Sequence, residues 1–222
     1  MSQTETLMAR DGHKFSTYLA KPPGKARGAV VIVQEIFGLS PWIVRTVDSY
    51  AADGYLCVAP ALFDRVHRNL VLGYSPAERE QAMGYRKQID TAKAVLDIGA
   101  SAAMARHAGK VAVIGFCWGG TLAWAAASEL LLGAAVCYYG AGIPKLLPKV
   151  PNCPTMLHSG DKDQSIPAAD VEQIRVASPQ AVYHLYPTGH AFANDDRPDH
   201  YDPEATALAR SRTGAFLAQH IG

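Results

Sequence analysis

No run of this chain approaches the roughly 18 consecutive apolar residues of a membrane-spanning helix, so no span is expected. Neither sign of charge is in excess: 21 Lys and Arg stand against 20 Asp and Glu. That balance provides no basic face for nucleic acid and no acidic tail. The opening Met1-Ser2-Gln3-Thr4-Glu5-Thr6 lacks the basic and apolar regions of a secretory signal, and a cytoplasmic location is expected. Cysteine is scarce and scattered, at Cys57, Cys117, Cys137 and Cys153. Of these, Cys57, Cys137 and Cys153 lie in or beside apolar strands and are expected to be inert buried thiols. No Cys-x-x-Cys pair occurs, which excludes the common zinc and thioredoxin spacings and fits a reducing compartment. His13, His67, His107, His158, His184, His200 and His220 show no ligand spacing and read as surface or core-edge residues. No phosphate-binding loop and no internal repeat is visible. The expectation is therefore no metal, no cofactor and no nucleic-acid or membrane partner.

What is present is a core. The 222 residues are 49% apolar and 18% charged, which fits one compact domain over residues 1–222. Residues 6–10 and 14–19 read as strands joined at Asp11-Gly12, a strong hairpin turn. Ala29-Val30-Val31-Ile32-Val33 is a continuous apolar run, as expected of a strand buried on both faces. Further strands are expected at 55–60, 111–114, 133–139, 155–158 and 181–186. Helices are expected at 41–52, over much of 78–104, and at 204–219, with residues 61–80 as a loop or cap. Strands alternating with helices predict an α/β class with a mostly parallel sheet and helices on both faces.

The segment Val111-Ala112-Val113-Ile114-Gly115-Phe116-Cys117-Trp118-Gly119-Gly120-Thr121 concentrates the chemistry. A β-branched run ends in Gly-x-Cys-x-Gly and passes straight into Leu122-Ala123-Trp124-Ala125-Ala126-Ala127, a helix former. Strand, sharp turn and helix put the Cys117 thiol at the apex, the arrangement of a nucleophile elbow with Cys in place of Ser. A helix N-terminus favours thiolate through its dipole and free N–H groups.

A thiol nucleophile needs a base, and the base needs an orienting acid. Two later loops offer them. Ser159-Gly160-Asp161-Lys162-Asp163 follows one strand, and Thr188-Gly189-His190-Ala191-Phe192 follows the last. In a parallel sheet both lie at the carboxyl edge with Cys117. The order nucleophile, acid, histidine is that of α/β-hydrolases. Spacing alone does not separate Asp161 from Asp163. Immediately after residues 29–33 comes Gln34-Glu35-Ile36-Phe37-Gly38. In this fold an N–H of that loop joins the N–H after the nucleophile in an oxyanion hole, which assigns Ile36 and Trp118. Glu35 would be a carboxylate next to that hole.

Together these stretches resemble the dienelactone hydrolase (carboxymethylenebutenolidase) family, the cysteine branch of the α/β-hydrolases. The match also takes in Val58-Ala59-Pro60, Tyr138-Tyr139-Gly140, Gly160-x-x-Asp163-x-x-Ile166-Pro167 and Gly189-His190-x-Phe192-Ala193, in the family's order. The resemblance implies Asp163 as the acid and a role for Glu35 in activating the thiol, with full thiolate once substrate displaces the Glu side chain. It implies a cofactor-independent hydrolase that cleaves a small lactone or ester through a Cys117-His190-Asp163 triad and an acyl-enzyme, as a monomer or weak homodimer. A thiol-based redox protein and a non-catalytic ligand-binding member of the fold are the alternatives. Arg79-Glu80-Gln81-Ala82 matches a stretch whose arginine holds the substrate carboxylate, and Arg79 and Phe37 are the expected substrate contacts. The family's second arginine, four residues past the histidine, is replaced by Asn194, and Ala191 stands where the family has Ser. Arg86 and Arg197 are the candidates to replace it.

Overall fold

The computed structural model describes residues 2–222, which fall into two compact units, one reaching Val111 and the other spanning Ala112–Gly222. Among the described residues there are eight strands and six α-helices.

The first unit holds β1 (Ser2–Met8), β2 (Lys14–Ala20), β3 (Ala29–Val33), α1 (Pro41–Ala52), β4 (Leu56–Pro60), α2 (Pro76–Arg86) and α3 (Thr91–Ala105). Its strands run in the order β1-β2-β4-β3. β1 and β2 form an antiparallel hairpin in register Ser2↔Ala20, and Gly12 takes the positive φ that the turn demands. β2 is antiparallel to β4, while β3 and β4 are parallel, joined through α1. Every residue of β3 and β4 is buried, which explains their unbroken apolar sequences. Helix α1 starts where expected because Ser40 caps it, accepting from the Ile43 N–H, with Pro41 in the first turn.

Residues 61–75 hold one 3-10 turn at Leu62–Arg65, are otherwise irregular, and are firmly held. The Asp64 carboxylate accepts from the backbone N–H of Ser16 and of Asn69. Arg65 binds the buried Asp97 at 2.7 Å and reaches Asp11 at 2.8 Å. Val71 bridges Gly38, and the Leu72 N–H donates to the Phe37 carbonyl. The expected helical stretch 78–104 is two helices. A capping box of Ser75 and Glu78 starts α2 at Pro76, and Asp90 caps α3 separately.

The second unit is a parallel series β5 (Val111–Phe116), β6 (Ala134–Tyr138), β7 (Thr155–Gly160) and β8 (Val182–Tyr186), in that order. It carries α4 (Trp118–Glu129), α5 (Ala168–Ala177) and α6 (Pro203–His220). β5, β6 and β7 are wholly buried, whereas β8 leaves Val182 and Leu185 exposed. Helix α5 has no counterpart in the sequence reading: it buries only Val171 and Ile174, too few apolar positions to set a period. No described helix is long and apolar enough to cross a membrane.

Candidate active site

The site in the second unit starts with a strained turn. Cys117 follows β5 and is the N-cap of α4, with φ 57° and ψ −116°. A non-glycine residue holds such angles only when its surroundings over-determine them. They do so here. The Cys117 N–H donates to the Tyr138 carbonyl at 3.0 Å, and its own carbonyl accepts from Gly120. Gly115 is obligatory, since a Cβ there would lie 1.8 Å from the Gly119 carbonyl oxygen. Strain recurs nearby. Of the four non-glycine residues with positive φ among those described, three are Cys117, Tyr139 and Ala191, and only Asn69 lies elsewhere.

His190 connects the thiol to an acid. Its Nε2 is 3.1 Å from Cys117 Sγ, and its Nδ1 is 2.6 Å from Asp163 Oδ2. The other Asp163 oxygen accepts from the Ser165 N–H at 2.8 Å, so the buried carboxylate is fixed from both sides. Asp161, the competing acid, is exposed, and its N–H is spent on the Tyr186 carbonyl. The Tyr139 ring lies 5.1 Å from the imidazole, centroid to centroid. Burial alone would lower the His190 imidazolium, but the Cys117 sulfur and the Asp163 carboxylate outweigh it and push it up to about 10. The sulfur and the carboxylate thus both favour a proton on the imidazole, and its side chain retains 21% exposure, enough for a substrate to reach it.

The acid and histidine loops are seated on each other. A Cβ on Gly160 would come within 2.1 Å of the Thr188 carbonyl oxygen, and the Lys162 N–H donates to that same oxygen at 3.0 Å. Only glycine permits this approach, which sets the spacing between Asp163 and His190.

The other nominated residues are placed as follows. Trp118 is the first residue of α4, where the helix itself does not consume the N–H. Glu35, Ile36 and Phe37 belong to the first unit, in the loop after β3, and all are buried. Phe37 packs edge-on against Tyr74, ring centroids 4.7 Å apart. Arg79 is exposed on α2 and forms no ion pair among the described residues. Asn194 and Ala191 are fully buried, and Asn194 Oδ1 accepts from the Asp196 N–H. Arg197 binds His200 at 2.8 Å, and His200 Nδ1 lies 3.2 Å from the His190 carbonyl oxygen.

Two expectations need correction. His158 is not at the core edge: it is wholly buried, because hydroxyls satisfy both its ring nitrogens. Cys153 is only partly buried, whereas Cys57 and Cys137 are fully enclosed, and burial pushes the Cys137 thiol far up. No group of three or more His, Cys, Asp or Glu suited to a metal occurs among the described residues.

A model of the dienelactone hydrolase family matches residues 15–221. The chain belongs to the dienelactone hydrolase family. It is 36% identical to carboxymethylenebutenolidase 1 of Cupriavidus pinatubonensis, over 98% of this chain and 97% of that protein. A carboxymethylenebutenolidase of Pseudomonas putida is 34% identical, covering 96% and 94% of the two chains. A crystal structure from Klebsiella pneumoniae, assigned to the dienelactone hydrolases, superposes with a TM-score of 0.83 at 28% identity, over 99% of this chain and all of that one. The architecture is the α/β-hydrolase fold, and the protein is a dienelactone hydrolase-like carboxylic ester hydrolase, a class that acts on small esters or lactones.

Proposed function

We propose that this dienelactone hydrolase-like protein cleaves a small lactone or ester by cysteine acyl transfer, without a cofactor. The observation that carries the reading is the unbroken chain Cys117 Sγ, His190, Asp163, at 3.1 and 2.6 Å, built on a strained elbow. Cys117 thiolate adds to the carbonyl carbon, and the carbonyl π electrons move to oxygen. Backbone N–H groups of Trp118 and Ile36 receive that oxyanion. The support for Ile36, and for Glu35 as the group that tunes the thiol, is the match of Gln34–Gly38 to the family's motif. The intermediate collapses, expelling an alkoxide or enolate that takes the proton from His190 Nε2. Water then gives a proton to His190, adds to the thioester carbon, and Sγ leaves as thiolate. Because the family match runs unbroken across both units, we read the chain as one catalytic domain. The names of its relatives support a dienelactone as the substrate class.

Stoichiometric alkylation tests the nucleophile. One equivalent of iodoacetamide should label Cys117 and remove activity in proportion, with Cys57, Cys137 and Cys153 spared. At pH 7 the His190→Ala variant should alkylate far more slowly, having lost the imidazolium. The gap should close as the pH rises through about 10, where the wild-type imidazolium gives up its proton as well. Equal labelling of another cysteine at half inactivation would count against Cys117.

Arg79 is the one matched carboxylate clamp. A hydrogen bond to a charged group contributes about 1.5–3 kcal/mol, so Arg79→Ala should raise KM for an anionic lactone about 10–150-fold and leave a neutral ester nearly unchanged. Equal effects on a matched anionic and neutral pair would show that the substrate carboxylate is not read at Arg79.

A further inference from the structure

Four buried side chains link the strand ends of the second unit. Tyr138 ends β6, His158 lies in β7, Tyr186 ends β8, and Thr213 lies in α6. His158 Nδ1 meets the Tyr186 hydroxyl at 2.7 Å, and its Nε2 meets Thr213 Oγ1 at 3.0 Å. Thr213 Oγ1 is also 2.8 Å from the Tyr138 hydroxyl. All four are at most 2% exposed. A neutral imidazole satisfies this arrangement, with one nitrogen donating and the other accepting. Burial, with His184 and Arg212 nearby, holds the His158 ring well below the ordinary histidine range.

The backbones of the three strand residues support the segments that carry the triad. The Tyr138 carbonyl accepts from Cys117 N–H at 3.0 Å. The His158 carbonyl accepts at 2.7 Å from Tyr139 N–H, whose ring lies against His190. The Tyr186 carbonyl accepts from Asp161 N–H at 2.9 Å and from Thr188 N–H at 2.8 Å, in the acid and histidine loops respectively. Each strand residue is thus tied to the network through its side chain and holds one segment beside the triad, or two in the case of Tyr186, through its carbonyl. An apolar core would fill the same space but would leave the strand ends fixed by the backbone ladder alone, with no directional bond between their side chains. Hydrogen bonds with fixed directions add that constraint, and acyl transfer is sensitive to small displacements.

We propose that Tyr138, His158, Tyr186 and Thr213 are positioning residues that set the mutual register of Cys117, Asp163 and His190. None touches the reacting atoms, and the proposal rests on the triad reading above.

Thr213→Val is the main test, because it keeps the side chain's shape, removes one hydroxyl and lies on no strand of the sheet. It leaves His158 Nε2 and the Tyr138 hydroxyl each short of a partner. Turnover of a chromogenic aryl ester should fall about 10–100-fold in kcat with KM little changed, as expected for misplaced catalytic groups. Iodoacetamide labelling of Cys117 at pH 7 should slow in step. Thr213→Ser should restore most of both. Tyr186→Phe, which removes the partner of His158 Nδ1, should move kcat the same way and serves if Thr213→Val does not fold. The proposal is overturned if folded Thr213→Val or Tyr186→Phe keeps wild-type kcat and labelling rate, whatever happens to its melting temperature. Cys117→Ala separates the two levels: if it remains active, the triad reading fails, and if it is dead while Thr213→Val is normal, only the positioning role fails.

Discussion

Cys117→Ala and His190→Ala should each lose turnover by on the order of 10⁴–10⁶-fold in kcat, and the double variant should be little worse than either. The reason lies in the 3.1 Å contact between Sγ and Nε2. Without the sulfur there is no acyl acceptor, and the imidazole has nothing to activate at the elbow. Without the imidazole the thiol loses the cation beside it, the leaving group loses its proton donor, and water loses its base. The two residues act as one unit, so deleting the second removes little that still works. Steady-state kinetics on the two single variants and the double one settle the matter. Losses that multiply in the double variant would mean two independent functions, and a Cys117→Ala enzyme within tenfold of wild type would place the nucleophile elsewhere.

Asp163→Asn should cost about 10²–10⁴-fold in kcat, less than either reacting residue, because the carboxylate orients and stabilises rather than reacts. It holds Nδ1 at 2.6 Å, which leaves Nε2 facing the sulfur. An amide of the same size can present N–H to Nδ1 and so favour the wrong tautomer. The fold should tolerate the change, since the oxygen that accepts from Ser165 has an equivalent in Asn. Asp161→Asn is the control and should be nearly silent, because Asp161 is exposed. If Asp161→Asn were the damaging change, the acid would be misassigned. Circular dichroism melts on both variants separate a catalytic loss from unfolding.

Much of this architecture was legible because its signals are local. Continuous apolar runs mark β3, β5 and β6, Ser40 and Pro41 mark the start of α1, and Gly-x-Cys-x-Gly between a strand and a helix marks the elbow. By spacing alone the loop carrying two aspartates was legible only as a pair, and only the resemblance to the family pointed to Asp163. What separates Asp163 from Asp161 is burial and a partner 27 residues away, which spacing does not carry. The break between α2 and α3 was missed because helical composition continues through it while Asp90 restarts the hydrogen bonding. His158 was misread for a related reason. A histidine in a strand is buried or exposed according to what stands opposite, and its partners Tyr186 and Thr213 come 28 and 55 residues later. The strain at Tyr139 and Ala191 left no trace in residue type, since neither is glycine.

The triad and the hydrogen bonds described for it lie within residues 112–222, while Arg79 and Phe37, proposed to meet the substrate, lie in the first half. Drift at Arg79 and Phe37 can therefore retune what is bound while the triad stays as it is, so long as Glu35 and Ile36, proposed for the thiol and the oxyanion, are kept. Descent within such a family can change diet at a few positions of one half and inherit the other intact.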